Sequence, residues 1–236
     1  MAAAVLLPAS AQAWDAARMA AAAERRGPAA VAALPALQAL LREAAQVDDG
    51  ARLKLVNDFY NHRITFQTDL QVWGQEDYWA SPLESLQQGR GDCEDYAIAK
   101  YATLLAAGVA PQRLQLVYVR ARMPGLNVAQ PHMVLAVHGI PAAPTAALAA
   151  PTTRAGTPSV LPLALQTADD PAAADPLVLD NLRPEVLRAS QRPDLIPVFS
   201  FNAEGLWQGS QPAGDPLVRL SRWREVWLRT REEGFP

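Results

Sequence analysis

Residues 91–97, Gly91-Asp92-Cys93-Glu94-Asp95-Tyr96-Ala97, contain the only cysteine in the 236 residues of the chain. Asp92 belongs to the residue types that cap helix N-termini, and the residues after it predict a helix that stops at Gly108. Cys93 is therefore predicted to lie in the first turn of this helix. Unpaired backbone N–H groups and the positive end of the helix dipole favour the thiolate there, which is the nucleophilic form of cysteine.

The sequence before this stretch predicts helices. Alanine- and leucine-rich segments with helical spacing cover residues 14–26 and 29–47, and a third amphipathic segment covers 49–62. Ser81-Pro82-Leu83-Glu84 has the capping-box pattern of a further short helix, which Gly89 ends. The N-terminal part of the chain is therefore predicted to be mostly helical.

After the cysteine-bearing helix, apolar residues recur with a period of two. This alternation predicts strands at 114–121, 132–138, 177–182, 196–201 and 205–207. Helical spacing returns over 220–231. Helices followed by strands with short connections indicate an α+β fold, with N-terminal helices packed on an antiparallel sheet.

Two segments differ from the rest of the predicted single domain, which covers 14–236. Residues 1–13 end in Ala11-Gln12-Ala13, a signal-peptidase-like site, and we interpret them as a signal-peptide remnant, with a disordered alanine-rich terminus as the alternative. Residues 139–176 contain seven of the twenty prolines, which predicts a Pro/Ala-rich surface loop inserted at a hairpin tip. No apolar run reaches about 18 residues, so we expect no membrane span.

Cys93 has two candidate partners downstream. His132 lies in an apolar run, and Asp180 closes an apolar strand, where a carboxylate is costly to bury without a partner. Cys, His and Asp in this order are the components of a thiol acyl-transfer triad. Structural roles remain the alternative, because a lone cysteine is usually a small buried hydrophobe. His62 and His138 remain alternatives to His132.

Three carboxylates, Asp92, Glu94 and Asp95, lie within one turn of Cys93. Such residues are ordinary at a helix start, because anions favour the N-terminus. Negative charge beside a thiol also raises the thiol pKa, so a thiolate would need compensating positive charge. A protonated His132 is one source, and a bound Ca²⁺, which takes carboxylate oxygens, is another.

Several separate blocks between about Val56 and Trp207 resemble, in order, the bacterial transglutaminase-like cysteine proteinases. These blocks are Trp73-Gly74, 77–82, 91–101, 116–119, 132–136, 177–181, 192–195, 200–202 and 205–207. The chain departs from the family pattern at the insertion 139–176, because the stretch between His132 and Asp180 looks short in the family.

The resemblance implies a papain-like, transglutaminase-like fold. It implies Cys93 as nucleophile, His132 as general base and acid, and Asp180 as the residue that orients His132. It also implies Ca²⁺ dependence with Asp92 and Glu94 among the ligands, and the neighbouring Asp95 joins them in the predicted metal site.

The resemblance further implies a periplasmic endopeptidase that cleaves the N-terminal region of a large repeat adhesin and so promotes release from biofilms. An inner-membrane receptor of the LapD type, which senses cyclic-di-GMP, is the implied inhibitor. Two other functions stay open. One is a protein-glutamine acyltransferase (transglutaminase), in which an amine replaces water, and the other is a non-catalytic calcium-dependent binding module. A net charge of −3 with interspersed signs gives no indication of nucleic-acid binding.

Overall fold

Helices form the N-terminal half and the C-terminal end of the chain. The computed structural model describes residues 14–123, 125, 128–140 and 175–236, so the predicted signal remnant and most of the predicted insertion lie outside the described residues. The helices are α1 (Ala16–Arg26), α2 (Pro28–Ala44), α3 (Asp49–Arg63), α4 (Asp69–Trp73), α5 (Pro82–Gln88), α6 (Cys93–Ala106), α7 (Pro216–Arg219) and α8 (Ser221–Glu232). Within the described ranges, no helix is both long and apolar enough to cross a bilayer.

Seven strands form one antiparallel sheet in the order β6-β5-β4-β3-β7-β8-β9. The strands are β3 (Leu114–Ala121), β4 (Gln130–Val137), β5 (Leu177–Leu179), β6 (Leu187–Arg188), β7 (Leu195–Phe201), β8 (Leu206–Gln208) and β9 (Gln211–Gly214). A separate parallel pair joins β1 (Thr65–Phe66) to β2 (Arg90–Gly91), directly before α6. The predicted α+β class with an antiparallel sheet is confirmed.

The helix starts follow the capping residues in the sequence. Ser81 and Asp92 cap α5 and α6, and each forms a capping box with the acidic residue three positions later. Gly89 ends α5 in the left-handed conformation that glycine adopts without steric cost (φ 61°). The start of α6, on which the site depends, is therefore fixed by local sequence.

Helix α6 is the centre of the core. Most of its residues are buried, and it packs on β4 and β3 on one side and on α3 on the other. Tyr101 of α6 meets Trp223 and Trp227 of α8 edge to face, and Phe201 of β7 joins the same aromatic cluster. Large aromatic rings contribute much of the buried area of a core. This packing locks the helix that carries Cys93 between the sheet and the outer helices.

The strand around 177–182 is shorter than predicted. Strand β5 ends at Leu179, which pairs with Leu135 of β4, and Asp180 follows in a loop. Pairing of β4 with β5 confirms that the two strands flanking the insertion are neighbours. Beyond the end of the ladder, the Asp180 carboxylate accepts hydrogen bonds from His132, Arg192 and the Leu182 backbone.

Candidate active site

Cys93 is the first residue of α6, and its side chain faces strand β4. The cap residue Asp92 has an extended backbone, and its N–H donates to the Asp95 carboxylate at 3.3 Å. The backbone amide of Met133 donates to the Cys93 sulfur, which places the thiol beside the residue that follows His132. Gly91 packs so closely on Asp95 that an added Cβ would clash with that carboxylate. The predicted position of the cysteine at a helix start is confirmed.

His132 and Asp180 form a buried hydrogen-bonded pair. Nε2 of His132 lies 2.8 Å from Oδ1 of Asp180, and the two side chains are 6% and 0% exposed. The backbone N–H of Leu182 donates to the same Oδ1 at 3.0 Å. With Nε2 directed at the carboxylate, Nδ1 is the ring nitrogen left for the thiol. The arrangement has the components of a nucleophile, a base and an orienting acid.

Asp180 also binds a guanidinium. Nη2 of Arg192, a residue in the loop before β7, lies 2.7 Å from Oδ2 of Asp180, and both groups are buried. Burial alone would raise the pKa of Asp180, but hydrogen bonds from His132, Leu182 and Arg192 together hold it well below its ordinary value. Asp180 is therefore ionised at neutral pH, as an orienting carboxylate must be.

The thiol of Cys93 is held in its protonated form by its surroundings. Sγ donates to Oε2 of Glu94 at 2.8 Å. Burial, Glu94 and Asp92, in that order of effect, raise the pKa of the Cys93 thiol far above its ordinary value, and only the Met133 amide opposes them. The prediction that the acidic neighbours oppose the thiolate agrees with this direction. An active thiolate here needs additional positive charge.

The predicted metal-site residues lie in two clusters, which share Asp92. Asp92 and Glu94 group with Cys93, whereas Asp92 and Asp95 group with Asp69 of α4, and the ligand atoms of each cluster lie within 4.8 Å of one another. The sequence analysis did not identify Asp69. It is buried and follows a helix cap, so its pattern resembles that of an ordinary helix-start acid.

The electrostatics of this acidic cluster favour a cation. Burial first, and the neighbouring carboxylates second, raise the pKa of Asp69 to about 6 and that of Asp92 to about 10. The same causes raise the pKa of Asp95 well above its ordinary value. Oδ1 of Asp69 and Oδ1 of Asp92 are buried and, within the part of the chain that the structure describes, accept no hydrogen bond. Clustered carboxylate oxygens with free lone pairs fit a hard divalent ion such as Ca²⁺.

The segment 77–81 supplies backbone donors to the acidic cluster. The N–H of Tyr78 donates to Asp69 at 2.6 Å, and the N–H of Ala80 donates to Asp95 at 2.7 Å. Trp79, which we expected either in the core or in a groove wall, is partly buried and stacks on Phe201 at 5.9 Å between ring centroids. The aromatic segment before Cys93 therefore positions two of the clustered acids.

The other histidines lie outside this arrangement. His62 is exposed, and Nδ1 contacts the Asp58 carbonyl of its own helix at 2.7 Å. His138 follows the far end of β4, six residues and roughly 20 Å along the strand from His132. It is partly buried against Gln115, and burial lowers its pKa. Of the three histidines, His132 is the one next to Cys93 along the sheet.

Comparisons with known proteins agree with this geometry. A family model described as bacterial transglutaminase-like cysteine proteinase matches residues 38–139. LapG from Legionella pneumophila is 31% identical, with a TM-score of 0.65 over 92% of this chain and 96% of that chain. The EGTA-treated LapG gives 31% identity and a TM-score of 0.66 over 93% of this chain and 100% of that chain. The calcium-bound LapG gives 31% and 0.65 over 91% and 98%.

A comparison with curated proteins gave no significant match. The similarity to the LapG structures extends over more than nine-tenths of both chains. The predicted transglutaminase-like fold is therefore confirmed, and the chain belongs to the bacterial transglutaminase-like cysteine proteinases, a family of cysteine proteases.

Proposed function

We propose that the chain is a calcium-dependent cysteine endopeptidase of the periplasm. In this proposal it cleaves the N-terminal region of a large repeat adhesin and promotes release of cells from a biofilm. The observation that carries the proposal is the placement of Cys93 at the start of α6, beside the strand that holds the His132–Asp180 pair. The 31% identity with LapG supports the same activity.

The proposed reaction has two steps. The Cys93 thiolate attacks the peptide carbonyl, and a C–S bond forms while the C–N bond breaks. His132 takes the thiol proton before the attack and gives it to the leaving amine. It then takes a proton from the attacking water, so that a C–O bond forms, the C–S bond breaks and the thiol recovers that proton. Asp180 keeps the imidazole oriented through Nε2. The backbone N–H of Cys93 is our candidate for one oxyanion donor.

We infer that calcium is held by Asp69, Asp92 and Asp95, with Glu94 close enough to join them. Two observations support this set. The first is that the carboxylate oxygens of the set are clustered, and Oδ1 of Asp69 and Oδ1 of Asp92 accept no hydrogen bond among the described residues. The second is that LapG has been solved in calcium-bound and EGTA-treated forms. A bound ion would neutralise carboxylates next to the thiol and so favour the thiolate. This accounts for a nucleophile that is otherwise surrounded by acids.

The proposed partners and location extend from the family resemblance. The substrate is a large repeat adhesin, and the inhibitor is a LapD-type inner-membrane receptor for cyclic-di-GMP. The Ala11-Gln12-Ala13 site supports export to the periplasm. Co-purification with the periplasmic domain of the host's receptor tests the inhibitor. Fractionation of cells that express the full-length gene tests the location.

The decisive experiment is a cleavage time course on the N-terminal fragment of the host's largest repeat adhesin. It is run with calcium, with EGTA, and with Cys93→Ala in calcium. The proposal expects a discrete fragment that needs both calcium and the intact cysteine. Mass spectrometry with an added primary amine separates hydrolysis from transfer, since an amine adduct would indicate a transglutaminase. Absence of both cleavage and thiol labelling at Cys93 in the folded protein would indicate a binding module.

A further inference from the structure

Arg192 lies in the loop before β7, with only 2% of its surface exposed. Its Nη2 donates to Asp180 Oδ2 at 2.7 Å and to Asp194 Oδ2 at 2.8 Å. Its Nε donates to Asp194 Oδ1 at 3.0 Å. Asp194 therefore holds the guanidinium in a fork, a geometry specific to arginine. The guanidinium is fixed on one side by Asp194 and presents Nη2 to Asp180 on the other.

The two oxygens of Asp180 are held differently. Oδ1 accepts from His132 and from the Leu182 backbone, whereas Oδ2 accepts from Arg192 and, among the described residues, from no other group. The terminal torsion of an aspartate is soft and nearly two-fold. Without Arg192, the carboxylate would be held through Oδ1 alone and could pivot about that oxygen, so Oδ1 would be less firmly fixed opposite the imidazole.

We propose that Arg192 is a positioning residue, which fixes the Asp180 carboxylate in the rotamer that orients His132. The kinetic part of this proposal rests on the proposed protease function. A misplacement of about 1 Å in a catalytic group costs roughly 100-fold in rate. Arg192 and its partner Asp194 thereby make the loop before β7 part of the active site, although neither residue contacts the thiol.

Other charges near Asp180 do not replace this contact. The Lys100 ammonium of α6 acts on Asp180 electrostatically, but within the described part of the chain it has no hydrogen-bond partner. Arg183 acts on Asp194 in the same long-range way. Neither offers the Asp180 carboxylate a directional donor, so a variant that lacks the guanidinium loses the constraint on Oδ2.

The test compares Arg192→Gln, Arg192→Lys and a matched arginine control, Arg113→Gln. Arg113 also forms an ion pair, with Asp49 at 2.8 Å, but it lies directly before β3 and outside the site. Two readouts are needed. The first is kcat and KM for cleavage of the adhesin fragment in calcium. The second is NMR of the free, ¹⁵N-histidine-labelled protein, in which the chain's three histidines are assignable with His132→Gln.

We expect Arg192→Gln to lower kcat by about 10- to 100-fold with KM nearly unchanged. The hydrogen-bonded ring proton on Nε2 of His132 should broaden or exchange faster, since its acceptor Oδ1 is less firmly held. Arg192→Lys should restore part of both signals, because an ammonium donates to Oδ2 without the fork. Arg113→Gln should leave both unchanged.

The proposal is overturned if Arg192→Gln keeps the ring-proton signal and cleaves within about threefold of the wild type. If the wild type itself fails to cleave, the proposed protease function is wrong, and the NMR comparison still decides the positioning role. If Arg192→Gln does not fold, Asp194→Asn, which retains the guanidinium but loosens its fork, should show the same changes in smaller measure. Wild-type behaviour of Asp194→Asn in both readouts would then reject the proposal.

Discussion

The thiol of Cys93 donates its hydrogen bond to Glu94, its neighbour along the chain, with Sγ 2.8 Å from Oε2. Because the carboxylate opposes loss of the thiol proton, this hydrogen bond keeps Cys93 protonated and weakly nucleophilic. The same carboxylate belongs to the acidic cluster that is suited to a cation. Reactivity of the cysteine and occupancy of the cluster are therefore expected to change together.

Glu94→Gln should make the thiol more reactive in the absence of calcium. Burial and Glu94 are the two largest causes that raise the pKa of Cys93, and the substitution removes the second. Loss of one adjacent charge should speed alkylation by iodoacetamide in EGTA at pH 8 by about tenfold. Glu24→Gln, on the exposed face of α1, is the control. An unchanged or slower rate in Glu94→Gln would contradict the assigned role.

Asp69→Asn should weaken calcium binding, even though Asp69 is distant from Cys93 in the sequence. Oδ1 of Asp69 is buried without a partner among the described residues, so it is available to a cation. Loss of one charged ligand should raise the calcium Kd by at least about tenfold in isothermal titration calorimetry. Glu24→Gln removes an exposed acid of α1 that belongs to neither carboxylate cluster, and it should leave the Kd unchanged. Equal affinities for the two variants would remove Asp69 from the proposed site.

Asp180→Asn should make the unfolding free energy depend less steeply on pH in the acid range. Hydrogen bonds hold the pKa of Asp180 below its ordinary value of 3.8 despite burial, so its ionised form stabilises the fold above that pH. This contribution is lost as the pH falls through the lower, folded-state pKa. Below about pH 5, and increasingly as the pH falls past 3.8, the wild type should therefore lose more unfolding free energy than the variant. Urea titrations at each pH measure the difference, and parallel curves would count against it.

At neutral pH the same Asp180→Asn variant should be less stable than the wild type by roughly 2–4 kcal/mol, because one partner of a buried ion pair is removed. Arg192 retains Asp194 as a partner, which keeps the loss below that of a fully orphaned charge. A neutral-pH loss below about 0.5 kcal/mol would show that the Asp180 network contributes little to folding.

Lys100→Met should stabilise the protein at pH 7. Burial lowers the pKa of Lys100 to about 7, and its ammonium has no hydrogen-bond partner in the described residues. Because the unfolded chain binds this proton more tightly, wild-type stability should rise from about pH 7 towards pH 10. The variant should lack this rise and gain on the order of 2 kcal/mol at pH 7. Lys54→Met, on an exposed lysine, is the control, and a lower melting temperature for Lys100→Met would refute the prediction.

Local sequence patterns were sufficient to predict the elements that hold the nucleophile. A capping acid marks the start of α6, and two alternating strands around the insertion become the neighbours β4 and β5. Because β4 and β5 pair with Leu135 opposite Leu179, Asp180 emerges at the edge where His132 lies. The predicted pairing of this His with this Asp rested on such local signals, which left His62 and His138 as alternatives, and on the family resemblance.

Asp69 and Arg192 were missed for a different reason. Asp69 lies on a five-residue helix, which is too short to show a helical period, and its contact with Asp92 and Asp95 arises only through tertiary packing. Arg192 lies in a block quoted for the family resemblance, yet nothing in the order of residues shows that its side chain turns back to Asp180. The roles that depend on long-range geometry needed the three-dimensional structure.

The segment that donates backbone amides to Asp69 and Asp95 is itself anchored to the last helix. Ser81 hydrogen-bonds Glu233, and Arg229 donates to the Trp79 carbonyl. Glu233 in turn pairs with Arg26 of α1 at 2.8 Å. The two amide donors that hold Asp69 and Asp95 are therefore coupled to the packing of α1 and α8, so local unfolding of either helix would loosen the acidic cluster beside the thiol.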